Sequence, residues 1–158
     1  MTSFMMNGEF ECLRQDFNHI SIRLNTTAND EHNPMIERFI RTLKDAVRSI
    51  YFMLPFKKIP TLMLTDLVYY NTFWKNAFPR ADNIDNHLSP RTIVTGMPMN
   101  HSLHCQMEYG TYVQTREDHD NTVQERTAGA IALRPVGNAQ GGWYFMSLNT
   151  GRRLRRYQ

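Results

Sequence analysis

A carboxylate followed by basic residues at helical spacing is the feature of this chain best suited to chemistry. Glu37 is followed one, two and three helical turns later by Arg41, Lys44 and Arg48, so all four share one helix face. A carboxylate at the mouth of a loop can bind a divalent cation, and basic residues behind it can hold phosphates. The same spacing fits a solvated helix face with an i,i+4 ion pair between Glu37 and Arg41. On spacing alone, the solvated face is the better interpretation.

Two other clusters of ligand-type side chains give weaker signals. His101, His104 and Cys105 are close in sequence, but a zinc site needs a second ligand pair at suitable spacing, which is missing. Glu117, with Asp118, His119 and Asp120, forms an acidic run between two expected strands. A solvated loop is the better interpretation of that run.

Arginines are concentrated around Leu154, at positions Arg152, Arg153, Arg155 and Arg156. One interpretation is a charged edge strand that discourages aggregation. The other is a patch for nucleic-acid binding or nuclear import. The sequence leaves both open.

The helix that carries Glu37 is the clearest element in the sequence. Asn33 can cap it, Pro34 suits its first position, and Pro55 ends it. Its other face is a continuous apolar stripe with spacings of three and four. The stripe consists of Ile36, Ile40, Leu43, Val47, Ile50 and Leu54.

Shorter elements are expected before this helix, and a second long helix after it. The pattern predicts a helix over about 9–17, a strand over 20–25 and a loop over 26–33. The second helix should begin near Pro60 and end before Pro79. It is apolar on most sides, which predicts deep burial.

A change of pattern follows a short helical turn. Ser89 and Pro90 can start that turn, which runs through Val94, and Gly96 can end it. Beyond it we expect short strands with Gly-containing turns, typical of a small antiparallel barrel. The expected strands cover 109–115, 128–134, 143–148 and 152–157. The turns are Gly137 to Gly142 and Asn149 to Gly151, the latter with Gly in the left-handed position.

Composition limits the class of protein. The net charge of +3 permits an acidic partner without requiring one. Two distant cysteines fit a reducing compartment, and the first residues do not form a signal peptide. The longest apolar-rich stretch, 59–78, contains Asp66 and Asn71, which a membrane span would not carry without partners. We therefore expect an intracellular protein, nuclear or cytoplasmic, that does not bind membranes.

Four segments together resemble a known family. NTTANDEHNPMIERFIRTLKD (25–45) is similar to the integrase core of copia-type retrotransposon polyproteins, and LSPRTIVTG (88–96) to the segment after that core. EYGTYVQT (108–115) and GAIALRPVGNAQGGWYFMSLNTGRRL (129–154) resemble the barrel domain that follows. The amino-acid sequences of these segments are most similar in character to copia elements of algal and other protist genomes. The resemblance covers about 7–158, and its specificity lies in the order of the segments.

The resemblance implies an α+β fold with two parts. Residues 1–96 would be the C-terminal part of an RNase H-like integrase core of α/β type. Residues 97–104 would be a linker, and 105–158 a small Src-homology-3-like antiparallel β-barrel. In that family an Asp, Asp, Glu triad binds two magnesium ions that stabilise the attacking and leaving oxygens of a phosphoryl transfer.

The family's functional residues carry over only in part. Glu37 matches the third acid, whereas Asn7, before Gly8, matches the second and offers a neutral oxygen to the metal. The first Asp and the family's zinc-binding region have no counterpart here. The implied role is DNA integration in the intact parent, with this chain inactive alone and Mg²⁺ held weakly.

Three possibilities remain open. The first is such an integrase fragment, the second a catalytically dead relic that binds DNA or RNA, and the third a product without a role that barely folds. In either of the first two, sequence-tolerant DNA binding is expected, RNA binding is allowed, and exposed apolar surface permits a homo-oligomer. The expected nucleic-acid contacts are Arg38, Arg41, Lys44, Arg48, Arg152, Arg153, Arg155 and Arg156.

Overall fold

The computed structural model describes residues 3–27, 34–79, 81, 85–117, 120, 122–123 and 125–157. The chain divides into two compact units, Met1–Thr42 and Leu43–Gln158. Both helix and sheet are present, and the larger sheet is antiparallel. The expected α+β class is confirmed at this level.

The first unit is built on a pair of parallel strands. Strand β1 (Ser3–Asn7) pairs along its whole length with β2 (Arg23–Thr27). Parallel neighbours need a crossover, which here consists of a 3-10 helix (Gly8–Leu13) and α1 (Arg14–His19). The predicted helix near 9–17 is confirmed, the predicted strand begins three residues later than expected, and β1 was not predicted.

Helix α2 (Pro34–Met53) has the predicted limits, since it begins at Pro34 and ends before Pro55. The predicted cap, Asn33, lies outside the described residues. Burial of the apolar stripe is uneven. Its later members, from Leu43 to Leu54, are half-buried. Val47, Ile50 and Leu54 belong to the second unit and pack against its core. Its first members, Ile36 and Ile40, stay 48% and 43% exposed.

Helix α3 (Thr61–Ala77) is confirmed, but its burial is one-sided. Leu67 and Met63 are fully covered, whereas Leu64 and Tyr69 are 44% and 54% exposed. The prediction of burial on most sides is therefore wrong. The reason is packing geometry, because α3 contacts β4 of the antiparallel sheet with one face only.

Two short helices follow. Helix α4 (Pro90–Thr95) has the predicted ends: the Ser89 hydroxyl accepts from the Thr92 amide at 3.1 Å, and Gly96 adopts φ 69°. Helix α5 (His101–His104) was not predicted and lies in the expected linker. Its cap is Asn100, whose side chain accepts from the Ser102 amide.

The four predicted strands of the second unit are confirmed within three residues at each end. They are β3 (Tyr112–Arg116), β4 (Thr127–Pro135), β5 (Trp143–Ser147) and β6 (Arg153–Arg156). They form one antiparallel sheet in the order β3-β4-β5-β6, so β6 is an edge strand. The predicted hairpin glycine, Gly151, has φ 66°.

Each face of this sheet packs on its own apolar cluster. One cluster joins Met63 and Leu67 of α3 to Ile131, Leu133 and other buried residues. The other contains Ala130, Ala132, Trp143 and Phe145. Elements on both sides of the expected linker thus share a core. The limits 1–96, 97–104 and 105–158 stay predictions from sequence resemblance.

Within the described part of the chain, none of the helices has both the length and the apolar character needed to cross a bilayer.

Candidate functional site

The basic face of α2 is exposed to solvent. Glu37, Arg41, Lys44 and Arg48 all lie on exposed turns of this helix, and Arg38 is exposed beside them. Arg48 forms an i,i+3 ion pair with Asp45 at 3.3 Å, in which both side chains are more than half exposed. Such exposed pairs contribute little to stability. These cations are therefore accessible to an anionic partner.

The described residues do not fit the implied two-magnesium site. Glu37 is exposed, and the side chain of Asn7, at the end of β1, lies outside the described residues. Among the described side chains, no group of three or more His, Cys, Asp and Glu residues could hold a metal ion. Magnesium prefers an octahedral oxygen shell and is slow to lose water, so Glu37 alone would bind it weakly.

The two histidines near α5 take part in packing contacts, and the exposed Cys105 has its Sγ 4.0 Å from the His101 Nδ1. The His101 ring stacks on Phe78 with centroids 5.6 Å apart. His104 is buried, and its ring nitrogens lie 2.7 Å and 3.1 Å from the carbonyl oxygens of Asn100 and Asn138. The His104 contacts hold α5 against the turn after β4, and the three side chains do not form a described group that could hold a metal ion.

The acidic run after β3 is divided between different contacts. Glu117 pairs with Arg156, and Asp120 accepts from the amide and hydroxyl of Thr122. The two Thr122 bonds lower the pKa of Asp120. Asp118 and His119 lie outside the described residues.

The arginines of β6 point to both faces of the sheet. Arg153 and Arg155 lie opposite Met146 and Tyr144 of β5, whereas Arg156 lies opposite Trp143 on the other face. Side chains opposite each other in an antiparallel pair point to the same face. The four arginines are therefore not one patch.

Arg156 joins the two edges of the sheet. Its Nε donates to the carbonyl oxygen of Arg116 at 3.2 Å, and its Nη2 lies 3.0 Å from the Glu117 carboxylate. Both acceptors belong to β3 or its end, at the opposite edge from β6. The sheet must therefore curl so that its first and last strands approach each other.

The other three arginines differ in exposure and partners. Arg153 has its Nη1 3.6 Å from the Asp66 carboxylate and its guanidinium over the Tyr144 ring at 5.0 Å. Arg155 is exposed and lies over the exposed Tyr157 ring. Arg152, in the turn before β6, is also exposed. Among the described residues, Arg152 and Arg155 form no ion pair, so their charge is available to a partner.

A buried ion pair that the sequence did not predict connects α3 to the sheet. The Nε of Arg134 donates to the Asp66 carboxylate at 2.8 Å, and the Asp66 side chain is only 3% exposed. The Arg134 guanidinium contacts two aromatic rings, with its Cζ 5.2 Å from the centroid of Tyr69 and 4.4 Å from that of Tyr144. A buried carboxylate is tolerated only with such a partner.

A bulge in β4 makes this contact possible. The register of β4 against β5 shifts between Ala132 and Arg134. Leu133 therefore enters the α3 core while its neighbour Arg134 reaches Asp66 on the same helix. In a regular strand adjacent side chains point to opposite faces, and a bulge redirects one of them. The sequence signal was Asp66 itself, a charge inside an apolar helix, but its partner is distant in the chain.

Asp66 also affects a nearby tyrosine. The Tyr109 hydroxyl donates to the Met63 carbonyl oxygen in the core between α3 and the sheet. Burial, followed by the negative charge of Asp66, raises the pKa of Tyr109 well above its usual range. Tyr109 is therefore kept neutral as a structural donor.

No protein-family model and no curated protein matches this chain.

Proposed function

We propose that this chain is the nucleic-acid-binding part of a copia-type retrotransposon integrase, and that it binds DNA without joining it when alone. Assignment to this family is supported by four segments, 25–45, 88–96, 108–115 and 129–154, which resemble integrase segments and follow one another in the same order. In this proposal Glu37 corresponds to the third acid of the triad, and Mg²⁺ belongs to the intact enzyme. The described side chains do not supply a magnesium site.

The finer fold assignments are part of this proposal. A Src-homology-3-like barrel for the C-terminal part is supported by the curl of the sheet, because Arg156 of β6 bonds to residues at β3. Apolar side chains on the inner face, including Trp143 and Phe145, would fill that barrel. An RNase H-like origin for the first part is supported by the parallel pair β1 and β2 with its helical crossover.

The observation that carries the proposed activity is the exposure of cations on two separate elements. Arg152 and Arg155 are exposed at the sheet edge, and Arg38, Arg41 and Lys44 on α2. Phosphate contacts release counterions, so such residues bind nucleic acid with strong salt dependence. No base-reading element is evident in either surface, so binding should tolerate different sequences.

The test is a binding titration of the full chain with two unrelated DNA duplexes at several salt concentrations. We expect similar affinities for both, falling steeply as salt rises. Failure to bind either duplex at low salt, or binding that salt does not weaken, would contradict the proposal. A parallel titration with an RNA duplex shows whether the surface distinguishes ribose from deoxyribose.

The second candidate function is that of a catalytically dead, nucleic-acid-binding relic of a mobile element. It predicts the same DNA binding as the first and differs only in the origin of the chain. Both candidates predict that the chain alone has no strand-transfer activity, because Glu37 belongs to no group of three or more described ligand side chains that could hold a metal ion. A joining assay with pre-cut DNA ends in magnesium or manganese tests this. Metal-dependent products that disappear in Glu37→Gln would show that the chain has a working metal site.

A further inference from the structure

A pocket of about 480 Å³ lies beside the buried ion pair, between α3, α4 and the end of β4. Its volume is in the range of small-molecule sites, roughly 300–1,000 Å³. Two arginines, Arg91 and Arg134, line it together with Tyr69 and Phe73. The described lining includes no carboxylate. All of these residues belong to the second compact unit.

Arg134 is held in position before any ligand arrives. Its Nε is bonded to Asp66, and the Tyr69 and Tyr144 rings cover its guanidinium. A guanidinium has five N–H donors, so the donors on its terminal nitrogens remain for a ligand. Arg153, 3.6 Å from the same carboxylate, adds a second cation to the single charge of Asp66. The cluster is therefore net positive.

Arg91 is fixed by a different set of contacts. Its Nη2 donates to the Gly137 carbonyl oxygen, and its guanidinium lies 5.3 Å from the centroid of the Phe73 ring. Gly137 has φ 79°, and a Cβ there would come within 2.7 Å of Phe73 and 3.1 Å of Arg91. Glycine at this position thus lets the arginine, the aromatic ring and the turn meet at the pocket wall.

We propose that this pocket binds the phosphate group of a nucleotide. Two fixed guanidiniums match the charge and the planar donor geometry that phosphate recognition uses. Asn76 supplies a further donor, and Val94 and Val136 provide apolar wall for the rest of the nucleotide. This site is separate from the exposed duplex-binding cations and does not require them.

Calorimetric titration of the full chain with a deoxynucleoside monophosphate tests the proposal. Parallel titrations with the matching nucleoside and with inorganic phosphate show how much the base and sugar, and how much the phosphate group, contribute to binding. We expect the monophosphate to bind, the nucleoside not to bind, and inorganic phosphate to bind more weakly than the monophosphate. Equal binding of the nucleoside would overturn the proposal. Equal binding of inorganic phosphate would overturn its nucleotide part.

Two variants locate the binding. Arg91→Gln should weaken monophosphate binding about tenfold or more, the usual loss for a charge-assisted hydrogen bond. Val94→Trp should block the pocket without disturbing the fold, since Val94 is 84% exposed. Arg126→Gln removes the same charge at an exposed position outside the pocket lining and should change nothing. Wild-type affinity in both pocket variants would overturn the proposal.

The outcomes for this site and for the proposed function can be told apart. Absent monophosphate binding with intact duplex binding would overturn the pocket proposal alone. Monophosphate binding that Val94→Trp removes, in a chain that binds no duplex, would overturn the proposed function alone.

Discussion

At the residue scale, Asp66 shows how a buried charge can organise a core. Its carboxylate lies in an otherwise apolar helix face and is matched by Arg134 from the bulge in β4. The pair links α3 to the sheet across 68 positions of sequence. A buried pair of this kind gives little net stability, but removing Asp66 is costly because it leaves Arg134, whose side chain is only 19% exposed, without its counter-charge.

We therefore expect Asp66→Ala to lower the free energy of unfolding by about 3 kcal/mol or more, measured by urea denaturation. The control is Glu117→Ala, which breaks the ion pair with Arg156, whose side chains are 34% and 36% exposed. That change should cost less than about 1 kcal/mol. Equal losses in the two variants would mean that the Asp66 pair behaves as a surface pair.

Tyr109 gives a prediction for alkaline pH. Its folded-state pKa is raised by burial and by Asp66, so the folded protein keeps a proton that the unfolded chain releases near its ordinary value of about 10. The stabilisation is complete below about pH 10 and is lost as pH rises above that value. Tyr109→Phe should cost about 1 kcal/mol at neutral pH and show a shallower alkaline loss.

The measurement for Tyr109 is chemical denaturation of wild type and variant at several alkaline pH values. Tyr112→Phe, which alters a ring that is 58% exposed, is the matched control. Burial also raises the pKa of Tyr70, so some alkaline loss remains in Tyr109→Phe. Identical pH slopes in wild type and Tyr109→Phe would show that Tyr109 is not the group responsible.

At the element scale, the sequence predicted best those structures whose limits depend on local rules. Ser89 and Pro90 start α4, Gly96 ends it in the left-handed region, and Gly151 turns the last hairpin as expected. In each case the conformation follows from one residue and its near neighbours. β1 was missed because SFMMN lacks clear alternation and its partner β2 lies 20 residues further along.

Helix α2 provides a prediction at this scale. Its first part exposes Ile36, Phe39 and Ile40, whereas Val47, Ile50 and Leu54 pack on a core. Strands β4 and β5 are buried on both faces. Hydrogen exchange should therefore be slower in these two strands than across 35–42. Strong protection across 35–54 with weak protection across 109–157 would contradict this order.

At the scale of the whole molecule, the sequence predicted the elements better than their assembly. Periodicity predicted α3 and the four strands of the sheet, but it could not show that α3 packs on β4. That contact depends on the bulge at Ala132 and Arg134 and on pairing between distant residues. For the same reason, the four arginines around Leu154 were treated as one patch, although the register sends Arg153 and Arg155 to one face of the sheet and Arg156 to the other.

If exposed cations bind nucleic acid, the four arginines around Leu154 allow a matched test, because in the described part of the chain two of them have acidic partners and two do not. Arg152 and Arg155 are exposed without an ion pair among the described residues, whereas Arg153 and Arg156 contact Asp66 and Glu117. The double variants Arg152→Gln/Arg155→Gln and Arg153→Gln/Arg156→Gln remove equal charge from the same strand region. Any difference in binding must therefore come from exposure and partners.

The measurement is the slope of log affinity against log salt for a DNA duplex, in wild type and both double variants. Each lost phosphate contact should reduce the slope by about 0.9. We predict that Arg152→Gln/Arg155→Gln makes the slope shallower by roughly 1.8 and that Arg153→Gln/Arg156→Gln changes it by less than half as much. An unchanged slope in the first variant, or an equal change in both, would contradict the account.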